Sequence, residues 1–150
     1  MDNTNLKILK ILQEKARIPN VDVARKIGMA PSAVLERIRK LENQGYIDGY
    51  EVRLNPEKFN RKMIAFITVQ EAQTTVGSRL GEILSDIPGV QEVHYLSGKD
   101  SYLVKIRTSG HEELAQVVRD RIQPLPDVRS TRTSIVLQSF KETSGISIEQ

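Results

Sequence analysis

The hydrophobic pattern of the chain changes period near Met63. Before that point apolar residues recur every three or four positions, as on one face of a helix. After it they alternate in twos between shorter helical stretches. A first helix is expected from about Asn3 to Lys15, where Leu6, Leu9 and Leu12 form a stripe that Ile8 and Ile11 widen. A second begins after Pro19, with Asn20 as its N-cap, Val23, Ala24 and Ile27 facing inward and Gly28 stopping it. In the third, Pro31 suits the first helical position, where a missing N–H costs nothing. Val34, Ile38 and Leu41 follow as one apolar stripe, and Gly45 can close the helix in a left-handed cap. Ser32, Glu36, Arg39, Lys40 and Asn43 fall on the other side, and Arg37 flanks the stripe. Two short amphipathic helices joined by a short turn, the second charged on its outer face, form a helix-turn-helix suited to a DNA groove. The bland alternative is a pair of bundle helices with a solvated face.

The segment Tyr46-Ile47-Asp48-Gly49-Tyr50-Glu51-Val52-Arg53-Leu54 follows directly. An Asp-Gly dipeptide between β-forming residues signals a hairpin, and behind a recognition helix a short ribbon reads as a wing. Asn55-Pro56 ends it. Beyond Met63 a strand (MIAFITVQEA) precedes a helix from Val76 to Ile87, with Leu80, Ile83, Leu84 and Ile87 on one face. Pro88-Gly89 breaks that helix. Strands over Val90–Leu96 and Ser101–Arg107 are joined by the tight turn Ser97-Gly98-Lys99-Asp100. A helix from His111 to Ile122 turns Leu114, Val117, Val118 and Ile122 inward, and Val128–Phe140 is the last strand. The order β-α-β-β-α-β is the ferredoxin-like motif. The fold class is therefore α+β, with a winged helix-turn-helix domain over residues 1–53, a hinge over 54–62, a ferredoxin-like domain over 63–142 and a tail over 143–150 that carries no structural signal. Two helices cover one face of such a sheet. A second copy packed on the bare face would complete the core and present two reading helices to a near-palindromic site.

Composition narrows the function. The net charge is +3; residues 1–60 hold 11 Lys and Arg against 8 Asp and Glu, and residues 61–150 hold 11 of each. The whole excess lies in the helix-turn-helix half, as expected of a DNA-binding half, though an excess this small carries little by itself. With no Cys, disulfides and thiolate metal sites are excluded. No apolar run reaches membrane-spanning length, and the opening MDNTNLK lacks a basic-then-apolar leader pattern, so a cytoplasmic protein without membrane association is expected. No cofactor is expected either.

PSAVLERIRKLENQGYIDGY with LNP, together with HYLSGKDSYLVKI and TRTSIVL, resembles the leucine-responsive / asparagine-operon regulator (Lrp/AsnC) family of transcription factors over nearly the whole chain. The resemblance implies DNA binding as a dimer, assembled further into tetramers or octamers, and modulation by an amino acid or other small effector. It places the recognition helix at Pro31–Gln44, with Ser32, Ala33, Glu36, Arg37, Arg39 and Lys40 toward DNA. It places the effector site at Ser97, Gly98, Lys99, Asp100, Ser101, Tyr102 and Thr133. Two positions depart from the family pattern. Ala30 stands where a capping Ser is usual. Gly98-Lys99-Asp100-Ser101-Tyr102 replaces Gly-Asp-x-Asp-Tyr, so Ser101 offers no carboxylate to an amino acid's ammonium, and Asp100 is one residue off. Backbone carbonyls would then hold the ammonium, or Lys99 would favour an acidic ligand.

Two other readings share this architecture. An architectural DNA-binding protein would discriminate weakly between sequences. Some relatives act as sirohaem decarboxylases, in which His and Arg grip the tetrapyrrole. Here only His94 and His111 are available: His111 reads as a surface residue opening a helix, and His94 as a partly buried structural residue. No nucleophile–base pair or metal cluster is visible in the sequence, so catalysis is not expected.

Overall fold

The structure is a computed structural model that describes residues 1–72 and 79–149. The chain divides into two compact units, Met1–Arg53 with Lys141–Gln150, and Leu54–Phe140.

The first unit is built on three helices, α1 (Asn3–Glu14), α2 (Asn20–Ile27) and α3 (Pro31–Asn43). Its core is Ile8, Leu12, Val23, Ala24, Val34, Ile38 and Leu41. The α3 stripe and the inner face of α2 are those the periodicity predicts. In α1 the seam is instead Ile8 and Leu12, one turn apart, with Leu9 and Ile11 packed at its edge. The Asp2 side chain caps α1 by accepting from the Asn5 N–H at 2.7 Å. Asn20 is not the cap of α2 but its first helical residue; Pro19 occupies the cap position and offers no side-chain acceptor. Ala30 likewise leaves α3 without a side-chain cap. At the other end of α3, the Tyr46 N–H donates to Leu41 O at 2.9 Å and the Gly45 N–H to Glu42 O at 3.0 Å. Gly45 takes φ 71° to allow this paired closure, a conformation that a Cβ would strain.

The expected wing ribbon does not form within one chain. No strand lies between residues 44 and 62, and the stretch after α3 runs unpaired into a short 3-10 turn at Pro56–Phe59. A two-residue hairpin at Asp48-Gly49 needs positive φ at both residues, and neither adopts it. Tyr50 is held back on α3 instead, its hydroxyl donating to Glu42 at 2.8 Å. The tail is anchored within the same unit. The Gln13 side-chain amide donates to Ile146 O at 2.7 Å and accepts from the Ile146 N–H at 3.1 Å, as a neighbouring strand's backbone would.

The second unit is a four-stranded antiparallel sheet of β1 (Met63–Glu71), β2 (Val90–Leu96), β3 (Ser101–Thr108) and β4 (Val128–Ile135), in the order β2-β3-β1-β4. Helices α4 (Leu80–Ser85) and α5 (His111–Val117) make the crossovers, and α5 continues as a π turn over Val118–Ile122. This is the ferredoxin-like order. Ala65, Ile67 and Val69 of β1 and Val104 and Ile106 of β3 pack against Leu80, Leu84, Ile87, Leu114 and Ile122. Phe66, Thr68 and Gln70 alternate with that row and are half-buried.

Ile83 is exposed rather than inward, because Leu80, Leu84 and Ile87 alone form the inward row. The expected start of that helix at Val76 lies outside the described residues. The last strand stops at Ile135 rather than Phe140: its partner β1 begins at Met63, so beyond the Val136 N–H bond to Ile64 O no ladder remains. Leu137 and Phe140 are left almost wholly exposed. His94 lies exposed on edge strand β2, paired with Glu92 at 3.1 Å, rather than partly buried.

Candidate nucleic-acid interface and effector site

Helix α3 is seated on the core by Val34, Ile38 and Leu41, all buried. Its opposite face carries Ser32, Glu36, Arg39 and Lys40, all exposed, with Ala33 half-buried at the first turn. Among the described residues none of Glu36, Arg39 and Lys40 enters an ion pair, so both cations are available to phosphates or guanine edges. Arg39 also borders a groove of about 290 Å³ with Leu35, Glu42 and Tyr50. Burial and the bond to Glu42 push the Tyr50 phenol up to about 12, so this tether is a neutral hydroxyl on a carboxylate at any physiological pH.

Arg37 is placed differently from its neighbours. Its guanidinium donates to Asp2 Oδ2 at 2.6 Å and to Asn5 Oδ1 at 2.8 Å. The Arg37 hydrogen bond, then the Asn5 N–H, hold the Asp2 carboxyl below its ordinary value. One carboxylate thus caps α1 and pins α3. Sequence reasoning missed Asp2, although an Asp directly ahead of an apolar-periodic run is a capping signal.

In the second unit, Ser97, Gly98, Lys99 and Asp100 form an exposed turn between β2 and β3, with Gly98 at φ 82° and Asp100 at φ 45°. Ser101 is buried and Tyr102 half-buried at the start of β3. Tyr95 donates to Asp100 Oδ1 at 3.1 Å and stacks at a tilt on Tyr102, the ring centres 5.0 Å apart. Thr133 does not join this cluster within one chain. It stands on β4, two strands away, and lines a separate groove of about 330 Å³ with His111, Arg119 and Gln123. His111 opens α5 and is exposed, and among the described residues no group of three or more His, Cys, Asp or Glu could hold a metal ion.

A three-helix unit with exposed cations on the outer face of α3, joined to a ferredoxin-like unit, is the architecture of a two-domain helix-turn-helix DNA-binding protein. Residues 1–48 match the winged helix-turn-helix DNA-binding family, and residues 62–146 match the Lrp/AsnC ligand binding domain. The chain is 33% identical over 146 residues to the leucine-responsive regulatory protein of Haemophilus influenzae, covering 96% of this chain and 88% of that protein. A transcriptional regulator from Neisseria meningitidis, solved in complex with L-Met, superposes with a TM-score of 0.91 at 28% identity, over 98% of this chain and 96% of that one. Escherichia coli AsnC superposes with a TM-score of 0.87 at 25% identity, over 96% and 97%. The chain belongs to the Lrp/AsnC family of transcriptional regulators. No helix among the described residues is long and apolar enough to cross a membrane.

Proposed function

We propose that this transcriptional regulator binds near-palindromic operators through α3, as a dimer or a higher oligomer, and answers to a small effector at the 97–102 turn. The observation that carries the reading is the pair of cations Arg39 and Lys40, without ion-pair partners among the described residues, on the exposed face of a helix whose other face is buried in the core. Ser32, Ala33 and Glu36 share that face and contribute contacts to phosphate or to cytosine N4. Arg37 acts by positioning α3.

Dimerisation is supported by surfaces that one chain leaves unfinished. Tyr50, Val52 and Leu54 alternate as exposed apolar residues on an unpaired segment, and Leu137 and Phe140 are exposed beyond β4. The outer row of the sheet, Phe66, Thr68 and Leu103, is only half-buried. A second copy covers such surfaces by strand pairing and by sheet packing. The L-Met complex of the Neisseria meningitidis regulator supports an amino-acid effector. A DNA-binding regulator of this kind acts in the cytoplasm.

The test is a competition titration of labelled promoter fragments against random duplex at physiological salt, with sedimentation of the same samples. The proposal expects a dimer or larger species and at least about a thousandfold preference for particular fragments. A monomer, or equal affinity for all duplexes, contradicts it; the latter result describes an architectural protein.

A further inference from the structure

Two buried side-chain atoms lack a hydrogen-bond partner among the described residues, Glu71 Oε1 and Ser101 Oγ. Both stand at the end of the sheet that carries the 97–100 turn. Gln70 faces Ser101 across the β1–β3 ladder, and the Glu71 N–H donates to Asp100 O at 3.0 Å. Folded proteins leave few such atoms, and each needs a physical reason. Ser101 belongs to the outward row of β3, alternating with Tyr102, Val104 and Ile106. Glu71 continues the inward row Ala65, Ile67, Val69, and only 5% of it is exposed. An ionised carboxylate only accepts, and its burial is strongly unfavourable until a cation meets it.

The surroundings of Glu71 suit a cation. Along the same row Val69 pairs with Tyr102, and Tyr102 pairs with Tyr95. The Tyr95 hydroxyl is bound to Asp100, and its pKa is raised by desolvation first, then by Asp100, with a further contribution from the Glu71 charge. Two carboxylates therefore border one aromatic pair. Neither enters an ion pair among the described residues; Lys99, next to Asp100, is exposed, and Arg79 is paired with Glu82. Carboxylates beside tyrosine rings are the surroundings in which an ammonium is bound by charge and by the ring faces together. The half-exposed Tyr95 opens this corner to solvent.

We propose that Glu71 is the ammonium-binding carboxylate of the effector site, and that the effector carries a primary ammonium group seated against Tyr95 and Tyr102. The inference rests on the reading of Ser97–Tyr102 as the effector turn. It places a negative charge on the inward face of the sheet, beside Tyr102, whereas Ser101 on the outward face carries none.

Calorimetric titration of the full-length protein tests it, with L-leucine, L-methionine and putrescine as probes and the N-acetyl derivatives of both amino acids as controls. The expected result is binding of an amino acid, no binding of its N-acetyl derivative, and a loss of at least about tenfold in affinity in Glu71→Gln. Putrescine bound with the same dependence on Glu71, and no amino acid bound, equally supports the site and assigns it to polyamines. An amino acid bound equally by wild type and Glu71→Gln overturns the inference and leaves the effector reading intact. No binding of any probe by the wild type overturns both. If Glu71→Gln does not fold, the carboxyl carbon resonance of Glu71 in labelled wild type decides: a shift on adding the bound probe is expected, and an unmoved resonance rejects the assignment.

Discussion

The carboxylate of Asp2 lies 2.6 Å from the guanidinium of Arg37 and joins the start of α1 to the middle of α3. The same carboxylate accepts from the Asn5 N–H, so a single side chain sets both the first turn of the unit and the seat of α3. Its pKa is lowered, chiefly by the Arg37 hydrogen bond. A group whose folded pKa is depressed stabilises the fold above its unfolded value, here about 3.8, and loses that contribution as pH falls through the lower folded value. Asp2→Asn should therefore lower the thermal midpoint by a few degrees at neutral pH and leave it little changed below that window. Melting curves of the two proteins across acidic and neutral pH check this; a constant gap would show that the pair does not titrate as described.

Arg37, Arg39 and Lys40 lie within one turn of α3 and should behave differently. Arg39→Ala and Lys40→Ala should each weaken DNA binding severalfold and reduce the salt slope by about 0.9 for each phosphate left without its cation, while stability stays the same. Arg37→Ala should lower the melting temperature and leave the salt slope of the folded protein unchanged. Anisotropy titrations over a salt series separate the two classes. A slope reduced in Arg37→Ala alone would place the reading face on the wrong side.

The end of α3 depends on a left-handed residue. Gly45→Ala should destabilise the first unit by about 1 kcal/mol, the cost of a Cβ at positive φ. Denaturant unfolding measures it, and a neutral result would mean the helix end relaxes into another closure.

Gly89 is more constrained. At φ 87°, a Cβ there would meet Arg107 O at 2.7 Å. Gly89→Ala should cost on the order of 3 kcal/mol, from backbone strain and overpacking together. Unfolding that matches Gly45→Ala would show that β3 yields easily at this point.

The helices of the first unit are legible in the sequence because their burial follows a single period. Val34, Ile38 and Leu41 are spaced for one face, and no distant partner alters that. Strands β1 and β3 are legible for the same reason, their alternation surviving in the burial. What escapes a sequence reading depends on partners far away in the chain or on backbone angles. Asp48-Gly49 signals a wing, but a Gly is free to avoid the positive φ that a hairpin requires. The tail has no pattern of its own, since its anchor is the side chain of Gln13, 133 residues earlier. Glu71 looks like an ordinary polar end to a strand; only its burial sets it apart. By position Arg37 only flanks the apolar stripe, and it is the family resemblance that puts it toward DNA; nothing local shows that Asp2 and Asn5 hold it.

The most direct test of the central claim is recovery of genomic fragments by the purified protein at physiological salt, run in parallel with the Arg39→Ala, Lys40→Ala double variant. Discrete sites with two-fold symmetry, recovered by the wild type and absent with the variant, are the predicted result. Diffuse recovery, or the same sites recovered by both proteins, would contradict specific recognition through α3.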